Sequence, residues 1–230
     1  MSTETPTLDE LVKSMHEQAA LLTIASKMEA VGQGDLRDEL VRQQLCRTAE
    51  LLRGAAALGA SQNAACLGIL SRSLLEQLIT SLWSIRSIEN AQAHHGAAKM
   101  ELAKAMRINL KAGKAKIKDK RTGLDVTTKF LETEQMKGIP RRKSVEEQAK
   151  EAEVLDIYTV FYRFMSLETH GHSIASQETS ETSALCEVQL QGIGAISRAV
   201  GQACVWWLLH RGWPDNESIR SVLGLNSAEP

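Results

Sequence analysis

The stretch Leu67–Ile85, LGILSRSLLEQLITSLWSI, decides how this chain folds. Its apolar residues, Leu67, Ile69, Leu70, Leu74, Leu75, Leu78, Ile79, Leu82, Trp83 and Ile85, recur with helical spacing and cover nearly the whole circumference of the helix they predict. A helix apolar on all sides must be covered on all sides, so it belongs at the centre of a bundle. The spacing predicts this helix over about 61–88, with Gly59 stopping the helix before it and Ser61 as its N-cap.

The same periodicity continues outward in both directions. Leu8, Leu11, Val12, Met15, Ala19, Leu22, Ala25 and Met28 predict a helix over 8–32 that stops at GQGD, and Leu36–Leu58 predicts a second. Beyond the central helix come an amphipathic, increasingly basic helix over 90–117 and a short one over 126–136. Ser144, with Glu147 or Gln148 near the reciprocal capping position, opens a helix whose apolar residues carry it to Gly171. The last long helix, 183–211, contains Gly192, Gly194 and Gly201, small residues that admit a close neighbour, and a short helix at 215–223 follows. No stretch alternates with the period of two that a strand needs. The expectation is an all-α, single-domain bundle of five or six main helices around a central apolar helix. Residues 1–230 form that domain, with 118–143 a mobile basic loop region and 224–230 a disordered tail.

Hydrophobic residues at 43% and charged residues at 24% fit a soluble globular protein, and aromatics at 4% favour packed helices over a β-sandwich. Cys46, Cys66, Cys186 and Cys204 form no C-x-x-C pair and read as small buried thiols in a reducing compartment. The polar N-terminus MSTETPTLDE is no signal peptide, and the apolar run ACVWWLLH is too short to span a bilayer. These features point to the cytoplasm and away from a membrane. The net charge of −1 conceals an asymmetry: Lys99 to Lys143 holds 14 Lys/Arg against 5 Asp/Glu.

Two places carry polar residues where the pattern calls for apolar ones. Arg72 and Glu76 lie four apart on the central helix, which puts them on one face and within pairing reach. They form either part of an inward-facing polar site or a structural ion pair. The second place is Tyr162–Ser173, YRFMSLETHGHS. At about 100° per residue, Ser166 lies about 60° and His170 about 20° from Arg163, so the three form a polar stripe with Tyr162 at its flank. A guanidinium grips phosphate in a fork and a histidine near pH 6.5 works as acid or base, so this set suits phosphodiester cleavage or phosphate binding. It equally suits a buried network that fixes helix register.

The run from Arg163 to His170 resembles the R-x(4–6)-H motif of the HEPN superfamily, helical proteins many of which are metal-independent ribonucleases of toxin and phage-defence systems. The resemblance implies a homodimer in which Arg163 and His170 meet their counterparts across the interface. It also implies attack of an RNA 2′-hydroxyl on the adjacent phosphate, with His170 as general acid or base, Arg163 stabilising the phosphoryl oxygens, and Ser166 and Tyr162 positioning them. No cofactor or metal is called for. The residue after the arginine is usually Asn, Asp or His in that superfamily; here it is Phe164. The chain also resembles an uncharacterised bacterial family of helical domains that pairs R-x-x-x-E with Y-x-x-x-S-x-x-x-H-[GP]. Arg72 and Glu76 match the first pattern; Tyr162, Ser166, His170 and Gly171 match the second.

Lys104, Arg107, Lys111, Lys114 and Lys118 recur at three and four, a basic stripe suited to a phosphate backbone or to an acidic partner protein. His94-His95 and His170-x-His172 lack accompanying carboxylates or cysteines at ligand spacing, so no metal site is expected. The competing function is a non-catalytic helical interaction or regulatory module.

Overall fold

The computed structural model describes residues 6–28, 34–132, 141–162 and 182–212, together with Arg220 and Gly224. Among them the chain is all-α, with five long helices: α1 (Leu8–Ala25), α2 (Leu36–Ala60), α3 (Ala64–Arg86), α4 (Ile88–Lys111) and, after three short ones, α8 (Thr182–His210). The short elements are α5 (Thr127–Glu132), α6 (Val145–Glu151) and α7 (Leu155–Ile157), the last running into a π-helical turn at Tyr158–Tyr162. The only extended pairing among the described residues is an isolated bridge between Lys118 and Asp125.

The central place falls to α3, which packs against α2, α4, α6 and α8 and touches the π turn. Its Leu67, Leu74 and Ile79 are fully buried with Met15 and Leu22 of α1, Leu45 and Leu52 of α2, and Leu190 and Ile193 of α8. Each such side chain contributes about 1.5–3 kcal/mol through burial. Trp83 seeds a second cluster with Ala93 and Ala152, and its indole N–H donates to Glu151 at 2.7 Å. Cys186 and Cys204 are buried, and burial pushes the Cys204 thiol up to about 12. Cys46, by contrast, is exposed. No described helix is long and apolar enough to cross a membrane.

Several boundaries differ from the sequence reading, each for a local reason. Helix α2 runs past Gly59 and ends at a left-handed Gln62, and Asn63 rather than Ser61 caps α3 by accepting from the Cys66 N–H at 3.1 Å. Gly59 is instead a close-approach point, where a Cβ would lie 2.8 Å from a Leu190 methyl. Gly194 likewise admits Met15 of α1, whereas Gly192 has no neighbour within 4 Å.

The helix expected to run unbroken from Ser144 to Gly171 is interrupted. The Ser144–Glu147 capping box opens α6, but Glu153 adopts φ 61° and the chain turns. The Glu153 N–H reaches the Lys150 carbonyl at 3.2 Å and the Val154 N–H reaches that of Ala149 at 2.9 Å, the paired bonds of a Schellman motif. Arg86 fixes it from α3 by pairing with Glu153 at 2.9 Å and donating to the Ala152 carbonyl at 3.1 Å. The expected helix at 215–223 lies almost wholly outside the described residues.

Candidate functional site

The π turn ends on Tyr162, and its hydroxyl is where the polar residues of α3 converge. Arg72 donates to it at 3.2 Å, and the hydroxyl in turn donates to Glu76 at 3.5 Å. The Arg72 guanidinium also lies 5.0 Å from the Tyr162 ring centre, a cation–π contact, and Tyr158 stacks on the same ring with centres 5.0 Å apart. Arg72 and Glu76 thus share one helix face, as their spacing requires, with the phenol between them. Glu76 also pairs with a cation, Arg142, at 3.5 Å. The Nε of Arg72 and the Nε of Arg142 are shielded from solvent without a hydrogen-bond partner.

Beside this set lies a cavity of about 450 Å³. Its walls come from α2 (Gln44, Arg47), α3 (Glu76, Gln77), α4 (His94) and Arg142, which precedes α6. Gln77 is locked by donating to the Gln44 carbonyl at 2.7 Å and the Thr48 hydroxyl at 2.8 Å. The Gln44 side-chain amide nitrogen lies 3.2 Å from Nε2 of His94. An amide NH2 only donates, so Nε2 accepts and the imidazole proton sits on Nδ1. Nδ1 too is shielded without a partner. Burial, with Arg142 and His95 nearby, lowers the His94 pKa to about 4, so the ring is neutral at pH 7.

The segment that would complete the stripe, Arg163, Ser166 and His170, lies outside the described residues, as does His172. Tyr162 is the residue before it. A family model, described as a family of unknown function (DUF5677), matches residues 38–181, more than half of the chain. The chain belongs to that family. The DUF5677 match takes in α3, α4 and the π turn, hence Arg72, Glu76, His94, Arg142 and Tyr162. No curated protein and no solved structure matches the chain.

The basic stripe is partly dismantled. Lys104 and Lys111 are exposed on α4 and Arg107 is half-buried there, but the helix stops at Lys111. Gly113 takes φ 68°, a conformation glycine adopts without strain, and the Lys114 N–H closes back on the Asn109 carbonyl at 2.9 Å. Lys114 and Lys118 therefore leave the helix. In the non-helical run that follows, Lys114, Lys116 and Lys118 are all exposed. Charge is partly neutralised, since Lys104 pairs with Glu101 at 2.6 Å and Lys116 with Asp125 at 3.8 Å.

Sequence reasoning missed Gln44, His94 and Arg142 as members of the site. It also missed Asp38, only 2% exposed, which accepts from the Trp207 indole at 2.9 Å and from Arg211 at 3.2 Å. The pattern Asp35-x-x-Asp38 was the available signal, and it does form a capping box at the start of α2.

Proposed function

We propose that the chain is a HEPN-like RNA-binding protein with metal-independent endoribonuclease chemistry of the toxin or phage-defence kind. Arg163 and His170 are the catalytic pair and Ser166 a positioning hydroxyl; Arg72, Glu76 and Tyr162 support them. Lys104, Arg107, Lys111, Lys114 and Lys118 hold the RNA backbone, and the active form is a cytoplasmic homodimer. The observation that carries this reading is the Tyr162 hydroxyl, held between Arg72 and Glu76 one residue before Arg163. It ties the start of the Arg163–His170 stretch to a second arginine.

Labelled RNA incubated with the purified protein in EDTA tests it. Cleavage by the wild type that falls at least about 100-fold in His170→Ala and Arg163→Ala supports the reading, since positioned acid–base groups contribute about 10²–10⁴. Intact RNA with all three proteins, and no retention of RNA on a filter, overturns it.

One observation favours a second reading, an interaction module without catalysis. The Tyr162 hydroxyl serves both α3 side chains, the arrangement of a register-fixing network. On that reading His170→Ala loses about 1–3 kcal/mol of stability by stranding buried partners, and an unchanged melting temperature counts against it. Tyr162→Phe is expected to lose about 1–2 kcal/mol on either reading, because a charged donor loses its acceptor. Urea titration checks this, and a loss under about 0.3 kcal/mol would show the network to be energetically idle.

A further inference from the structure

We propose that the cavity between α2, α3, α4 and Arg142 is a binding site for a small molecule bearing an oxyanion, a phosphate or a carboxylate. Such a site does not depend on any action on RNA.

The size of the cavity, about 450 Å³, lies in the range that holds a small metabolite. Its lining side chains are mostly polar: Leu51 is the one apolar side chain among the described residues that form it. Charge then selects an anion. Among the described lining residues, Arg47 and Arg142 are two cations against one carboxylate, Glu76, which pairs with Arg142. His94 adds no charge, because its ring is neutral.

Hydrogen-bond chemistry narrows the class further. Arg47 and Arg142 bring guanidinium donors to the lining and Gln43 a further side-chain amide, and a guanidinium matches a carboxylate or phosphate edge in two parallel bonds. The locked amide of Gln77 gives the floor a fixed shape, so the site is formed before anything enters.

Calorimetric titration of the full chain with inorganic phosphate, adenosine 5′-monophosphate and succinate tests this, and the arms separate a phosphate from a carboxylate. Saturable binding of at least one probe is expected, together with a rise in melting temperature. Arg142→Gln and Arg47→Gln are expected to weaken that binding at least about tenfold each, the loss of one charged contact. Arg47 is exposed, so its variant keeps the fold even if Arg142→Gln does not. The proposal fails if no probe binds at up to about 10 mM, a free energy near −3 kcal/mol. It fails equally if Arg47→Gln binds as tightly as the wild type.

Discussion

Replacing Asp38 by alanine is expected to lower stability by about 3 kcal/mol, the largest single effect among the polar residues of this chain. The side chain sits at the third residue of α2, where its Oδ2 accepts from the Asp35 backbone N–H at 2.7 Å. Its two oxygens also hold the C-terminal end of α8, through the Trp207 indole at 2.9 Å and Arg211 at 3.2 Å. Arg37 and Arg211 in turn approach the Trp207 ring at 4.9 and 5.9 Å. One carboxylate therefore caps one helix and fastens another. Alanine strands an indole donor and an arginine in a nearly closed site; a third of the Arg211 side chain reaches solvent, which places the loss at the lower end of the 3–5 kcal/mol usual for a broken buried pair. For a chain of this length that is a fall in melting temperature of about 6–12 °C. Asp38→Asn keeps the shape and one acceptor, and about half the loss is expected. A double-mutant cycle with Arg211→Ala reads the coupling directly, and a coupling near zero would mean the pair holds nothing together.

Acidification is expected to destabilise the fold through His94 before the carboxylates respond. The folded pKa, about 4, is depressed below the ordinary value of about 6.5. Between those values the unfolded chain holds the proton and the folded one does not, so stability is intact above pH 6.5 and lost as pH falls towards 4. The full span corresponds to about 3 kcal/mol. Carboxylates such as Asp35, lowered by Arg37, and Glu151, lowered by Lys143 and Trp83, also lose stabilisation on acidification, but lower on the scale. His94→Gln retains a partner for Gln44 and removes the titration. Its urea midpoint is expected to stay level from pH 6.5 to 4.5, where the wild type drops steadily. Parallel curves for the two proteins would place His94 outside the acid response.

How much of this was legible depended on distance along the chain. The central helix was readable because its evidence is local: apolar residues all round, with Ser144–Glu147 marking another helix start by a capping box a few residues long. Arg72 and Glu76 were readable for the same reason, being one turn apart. The turn at Glu153 was not, because a glutamate in the left-handed region is held there by Arg86, far away in sequence. The basic stripe failed differently: Gly113 was a visible stop, but lysines at helical spacing on both sides of it imitated continuity. The cavity was invisible because Gln44, His94 and Arg142 come from three separate segments, each unremarkable alone. The Arg163–His170 stripe assumed a helix continuous from Ser144, and the chain reaches Tyr162 by a break and a π turn instead.

That π turn makes residue count part of the site. Its wider winding fits one more residue into the turn than an α-helix holds. Removing a residue between Leu155 and Phe161 would restore the tighter pitch and swing Tyr162 round by about 100°, away from Arg72 and Glu76. The exposed run after Gly113 can lengthen or shorten with little consequence, whereas this turn tolerates substitution but not deletion. A single-codon loss here would therefore uncouple Tyr162 from the central helix while leaving the side chains of Arg72, Glu76 and Tyr162 themselves intact.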